Sequence, residues 1–131
     1  MKALTICQPW AWLIVHGPKR YENRQWQTSY RGPLLIHAGK SRHCIKENAL
    51  ERWRAQGLVI PVASDLPFGA VVGICRLADC LPIGRLDDEW ASGPWCWRLE
   101  NVRAFEQPIP CRGGLRLFDL PDELVRNGQT A

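Results

Sequence analysis

Apolar positions in this chain fall into short runs, each broken by glycine, proline or a polar cluster. Residues 2–6 predict a short strand. Pro9 suits the first turn of a helix, where its missing N–H would lack a partner anyway. That helix runs through Trp12, Leu13 and Val15 to Gly17, a natural left-handed cap. Residues 20–24 read as a strand with alternate side chains on opposite faces. A polar loop over 25–32 and a strand over 33–38 follow. Ile45, Ala49 and Trp53 recur every four residues, which predicts an amphipathic helix ending near Gly57. After a proline-containing loop at 58–68, residues 70–81 form the longest β-rich run, with Gly73 at a bulge. Residues 87–91 read as a helical turn, 95–105 as a strand, 115–118 as a last short strand and 121–126 as a short helix. The tail over 127–131 is expected to fray.

That is about six short strands with two helices placed early, and it lacks the regular strand–helix rhythm of a parallel sheet. The pattern predicts an α+β fold: a small mixed or antiparallel barrel with the 9–16 and 44–55 helices packed outside it. No internal repeat and no low-complexity linker divides the chain, so residues 1–126 are expected to form one domain.

Composition supports a folded globule, because 46% of the 131 residues are apolar. The net charge of +4 says little, but its distribution says more. Residues 1–46 carry eight basic side chains against Glu22 alone, a net of +7, while the remainder is at −3. A one-sided basic field attracts polyanions. Six cysteines occur without any C-x-x-C pair, which argues against a zinc finger or ribbon. Cys7, Cys75 and Cys96 lie in apolar runs, where free cysteine acts as a small hydrophobe. No signal peptide or membrane-length apolar run is present, so a cytoplasmic protein with reduced thiols is expected. No metal and no cofactor is expected.

Candidate chemistry concentrates around the turn at residues 17–24. If 19–24 is a strand, Arg20, Glu22 and Arg24 share one face and Lys19, Tyr21 and Asn23 the other, so Glu22 can orient Arg24 or Arg20. An anion at position 22 is also expected to pair with Lys19⁺ and raise its pKa. Of the seven tryptophans, Trp12 and Trp53 read as core, and Trp95 and Trp97 as barrel interior. Trp10 and Trp26 are the better stacking surfaces. Trp26, Thr28, Tyr30, Arg31, His37 and Lys40 interleave aromatic and basic groups as a nucleic-acid surface does, although His37 in a strand also fits a satisfied core histidine. Gly39-Lys40-Ser41 does not complete a phosphate loop, because position 34 is leucine, which excludes that class of nucleotide triphosphatase. No i,i+4 histidine pair and no G-x-S-x-G elbow occurs.

The pieces QPWA, G-x-K-x-x-E-x-R, W-x-T-x-Y-R-G and L-x-I-H-A-x-K, in that order over residues 8–40, together resemble the ASCH domain. PWCWRLENV and PCRGGLRLF also look like small bacterial ASCH proteins. The resemblance implies a PUA-like β-barrel and a nucleic-acid-binding module, with RNA or DNA as partner and no membrane. Its basic cleft would hold Trp10, Lys19, Glu22, Arg24, Trp26, Thr28, Arg31, His37 and Lys40. The rival expectation is an enzyme. Some proteins similar to ASCH domains are amidohydrolases acting on N4-acylated cytidines, with a motif like G-x-K-x-x-T-x-R. Gly17, Lys19 and Arg24 match it, but Glu22 stands at the threonine position and cannot replace a hydroxyl nucleophile. Thr28 is near in sequence at the wrong spacing. A ribonuclease using Lys19 and Glu22 as an acid–base pair, an activity attributed to some ASCH proteins, is the other enzymatic form of this expectation.

Overall fold

The structure is a computed structural model that describes the backbone of residues 1–129 and the side chains of residues 1–126. Its elements are β1 (Lys2–Ile6), α1 (Trp10–Val15), β2 (Tyr21–Arg24), β3 (Gly32–Ala38), α2 (Glu47–Ala55), β4 (Ala70–Pro82), β5 (Trp95–Pro110), β6 (Leu117–Asp119) and α3 (Glu123–Gln129). The six strands form one curled half-barrel sheet in the order β2-β5-β4-β3-β1-β6. Every pairing is antiparallel except β1 with β3. The expected α+β fold, consistent with a PUA-like barrel, is therefore observed.

β3 explains why the sheet needs cover on both faces. Its apolar residues run continuously rather than alternating, as in strands buried on two sides. Leu34, Ile36 and Ala38 join a core with Ile14 and Val15 of α1, while Leu35 joins a second core with Ala3, Val71 and Phe105. α3 closes the second side by packing on β5. Gly73 lies at a register shift between β4 and β5, as expected of a bulge. A Cβ there would stand 2.6 Å from the Arg103 carbonyl and 2.7 Å from Val15 Cγ1, so the glycine lets α1 press onto the strands.

α1 has almost no polar surface of its own and is anchored by Gln8. That side chain is fully buried; its Oε1 accepts from Trp12 N at 2.9 Å, and its Nε2 donates to the Pro67 carbonyl at 2.9 Å. It satisfies one of the N–H groups that a helix start leaves open. The opposite end is capped by Arg20, whose Nη1 donates to the carbonyls of Ile14, Gly17 and Lys19. A cation at a helix C-terminus is favoured by the axial dipole.

Several local expectations are corrected. Gly17 does not adopt the left-handed conformation. It is glycine for space, because a Cβ would stand 2.9 Å from the Leu13 carbonyl. Pro9 stands just before α1 rather than inside its first turn. α2 buries Leu50 rather than Ala49, and packs on α1 through Leu13 and Trp10 instead of directly on the sheet. Residues 87–91 form no helix but hold one turn, in which Ala91 N donates to the Asp88 carbonyl at 3.0 Å; 3-10 turns lie earlier, at Ala63–Asp65 and Ile83–Arg85. β5 continues past residue 105 to Pro110. Of the tail expected to fray, residues 127–129 continue α3, and 130 and 131 lie outside the described residues. Cys7 and Cys44 are joined in a disulfide, against the expectation of six reduced thiols. No helix among the described residues is long and apolar enough to cross a membrane.

Candidate functional site

The turn at 17–24 opens into a cleft of about 900 Å³, bounded by the start of α1, β2, residues 39–43 and the loop 89–93. Two charged side chains are buried in it: Lys19 is 3% exposed and Glu22 is 7% exposed. Sequence periodicity puts them on opposite faces of a strand. They converge because β2 begins only at Tyr21, so the alternation never reaches Lys19.

Glu22 makes its ion pair with Arg24, two positions along the same face. Arg24 Nε and Nη2 stand 3.0 and 2.9 Å from Glu22 Oε2, and Nη2 also donates to the Thr5 carbonyl at 2.8 Å. Both contacts use one carboxylate oxygen. Among the described residues Oε1 has no hydrogen bond, and no fully buried side-chain oxygen lacks a partner, so Oε1 opens to the cleft. The arrangement presents an anionic acceptor whose position is set by Arg24.

Lys19 Nζ donates to the Tyr21 carbonyl and lies 5.4 Å from the centroid of the Trp10 ring. Burial pulls its pKa below the ordinary lysine value, and the field of Glu22, the largest opposing influence, offsets part of that. This corrects the expectation of a raised pKa through a Lys19–Glu22 ion pair: Glu22 spends its contacts on Arg24, and desolvation outweighs its field on Lys19.

Aromatic rings line the walls. Trp10 meets Trp53 edge-on at 5.5 Å, and Trp53 lies 5.7 Å from Trp90. Trp26 stands edge-on to Trp97 at 4.7 Å, with the Arg116 guanidinium 4.5 Å from its ring centroid. Trp97 is fully buried and pairs across the sheet with Glu22, so the interior indole supports both Trp26 and the carboxylate. Trp53, expected in the core, is half-buried and lines the cleft.

Asn23 holds the far wall. Its Nδ2 donates to the Trp90 carbonyl at 3.0 Å, and its Oδ1 accepts from Ser92 N and Gly93 N at 2.9 and 3.0 Å. One side chain on β2 thus fixes a loop nearly 70 residues away that carries Glu89 and Trp90. No local sequence pattern joins Asn23 to this loop.

Of the expected binding residues, the cleft collects Trp10, Lys19, Glu22, Arg24, Trp26 and Lys40. Three others lie elsewhere. Thr28 Oγ1 accepts from Tyr30 N in a local turn. Arg31 donates to the carbonyls of Thr28 and Tyr30 and pairs with Asp79 at 3.4 Å. His37 is 2% exposed, and both its ring nitrogens are bonded, Nδ1 to Thr5 Oγ1 at 3.1 Å and Nε2 to the Cys111 carbonyl at 2.8 Å. A carbonyl can only accept, so Nε2–H donates to Cys111, and the Thr5 hydroxyl meets the other ring nitrogen. His37 borders a second hollow of about 800 Å³ that also holds Arg112. The two hollows adjoin, with Thr5, Gly39 and Lys40 lining both.

A family model described as the ASCH domain matches residues 4–109. The chain is also similar to activating signal cointegrator 1 from Homo sapiens and from Mus musculus. Each is 26% identical over 130 residues, covering 92% of this chain and 22% of the relative. The chain therefore spans less than a quarter of the length of these curated relatives.

Proposed function

The chain belongs to the ASCH domain family, and from that premise we propose that its cleft binds nucleic acid by taking in a single unstacked base or a strand end. The observation that carries this reading is Glu22, a buried carboxylate with one oxygen locked by Arg24 and the other open to the cleft. A free carboxylate oxygen accepts from an exocyclic amine or ring N–H of a base. The indoles of Trp10, Trp26 and Trp90 offer flat apolar faces for stacking, worth about 1–3 kcal/mol per base. Lys40, between the two hollows, is exposed and suits a phosphate of the same strand. An intact duplex hides its base faces, so the cleft favours single strands, ends and displaced or modified bases over paired ones.

The test is a binding panel of single- and double-stranded RNA and DNA with modified nucleosides, at low salt, on wild type and Glu22→Gln. Single-stranded or end-containing ligands should bind best and weaken in the variant. Undetectable binding to every member of the panel overturns the reading.

A hydrolase reading retains one supporting observation: Lys19 has its pKa drawn down by burial, as a lysine acting as a base needs. With Glu22 at the hydroxyl position and Thr28 outside the cleft, such a reaction would not use the threonine nucleophile of the amidohydrolase motif. Release of free cytidine from N4-acetylcytidine, or cleavage of RNA, that is lost in Lys19→Ala would establish this reading. No turnover above the variant's level would remove it.

A further inference from the structure

We propose that Cys7, His43 and Cys44 form a zinc site at the mouth of the cleft once the two thiols are reduced. The two sulfurs and one ring nitrogen lie within 4.8 Å of one another. Cys44 Sγ stands 3.3 Å from His43 Nε2, and the Cα atoms of Cys7 and Cys44 are 6.3 Å apart. In a tetrahedral zinc site, ligand atoms bonded at about 2.0–2.3 Å lie about 3.5–4 Å from each other. Once the sulfur–sulfur bond is broken, small side-chain rotations therefore suffice to admit the ion.

The donor set points to the metal. Two thiolates and an imidazole are soft to borderline ligands that favour zinc over magnesium or calcium. His43 is already oriented, since its Nδ1 is hydrogen-bonded with Ser41 Oγ, which leaves Nε2 for the ion and places Nδ1–H as the donor to the hydroxyl. Three protein ligands leave a fourth tetrahedral position. Cys7 and His43 both line the cleft, so that position faces it and takes water or a donor atom of the cleft's ligand.

The disulfide and the zinc site are alternative states of the same side chains. A phosphine reductant and one water convert the disulfide to two thiols and a phosphine oxide. Zinc then binds as both thiols release their protons to solvent. His43 is exposed and the two cysteines are partly so, which leaves them open to reductant and metal. The site stands independently of what the cleft binds. It was invisible in the sequence because its two cysteines are 37 residues apart and form no metal-ligand spacing motif.

The experiment uses the full chain, reduced with a phosphine in the absence of oxygen, stripped of metal and titrated with cobalt(II), then zinc. Cobalt should bind at one equivalent with a thiolate-to-metal charge-transfer band and the visible bands of a tetrahedral ion, and zinc should displace it. Unreduced protein should show no such spectrum. Cys44→Ser should lose the charge-transfer intensity, Cys80→Ser should keep it, and Ser41→Ala should weaken binding about tenfold. Absence of tetrahedral cobalt in the reduced, folded wild type, or an unchanged spectrum in Cys44→Ser, overturns the proposal. Should Cys44→Ser fail to fold, the reduced and unreduced wild-type spectra decide it alone: equal spectra overturn it.

Discussion

Glu22 and Arg24 sit two positions apart on β2, and both contacts between them fall on a single carboxylate oxygen, at 2.9 and 3.0 Å. The geometry ties the guanidinium to the Thr5 carbonyl of β1 and leaves the second oxygen of Glu22 facing the cleft. Glu22→Gln keeps the shape but removes the charge. Hydrogen bonds to charged groups contribute about 1.5–3 kcal/mol, so the variant should unfold at lower urea with an unchanged m-value. Stability equal to wild type would show that the pair contributes nothing net.

Lys19 should titrate below the ordinary lysine value, because burial disfavours its charged form. Glu22→Gln removes the chief opposing field and should lower it further. The consequence for stability has a definite sign. Between the depressed folded value and the unfolded one, the folded chain binds fewer protons, so this group's contribution rises as pH climbs through that window. Below the window the full penalty of burying the charge remains. Carbon NMR of the labelled Lys19 side chain checks both chains; a Lys19 pKa at or above the ordinary value refutes the argument.

Asn23→Ala removes three hydrogen bonds to the loop 89–93 while leaving β2 paired with β5. The amides of Ser92 and Gly93 should exchange faster with solvent, and ligands of the cleft should dissociate faster. The core around Trp97 should keep its protection. Hydrogen-exchange mass spectrometry distinguishes this local loosening from global unfolding. Unchanged exchange at 92 and 93 would mean the loop is held by other contacts.

Salt dependence separates Lys40 from Arg31. Lys40 is exposed where the two hollows meet, whereas Arg31 is engaged by Asp79 and local carbonyls away from the cleft. For single-stranded ligands, Lys40→Ala should reduce the log–log salt slope by about one phosphate's worth, roughly 0.7, and Arg31→Ala should leave it unchanged. Equal slopes in both variants, or the reverse order, would move the backbone track away from Lys40.

Residues 1–126 are expected to unfold as one unit, because β6 pairs with β1 across the whole length of the chain and Leu120 N donates to the Met1 carbonyl at 2.9 Å. A single thermal transition seen alike by fluorescence and circular dichroism would support this. Truncation before Leu117 should lower the midpoint; a truncated chain of unchanged stability would show that β6 and α3 are dispensable.

What the sequence determined by itself was local. The strand at 33–38, the bulge at Gly73 and the α+β class follow from short-range pattern and backbone sterics, and the clustering of Lys19, Glu22, Arg24 and Trp26 follows from nearness along the chain. The tertiary structure decided what depends on distant partners. Periodicity misplaced Lys19 because only pairing with β5 sets where β2 begins. The partners of His37, Thr5 and the Cys111 carbonyl, lie 32 and 74 residues away, so only the fold shows that both ring nitrogens are bonded. Glu22 chose Arg24, and burial rather than the nearest carboxylate set the direction of the Lys19 shift. The loop held by Asn23 and the meeting of Cys7 with Cys44 left no trace in spacing. Chain closure over tens of residues is governed by the packing of the whole sheet, which no local pattern records.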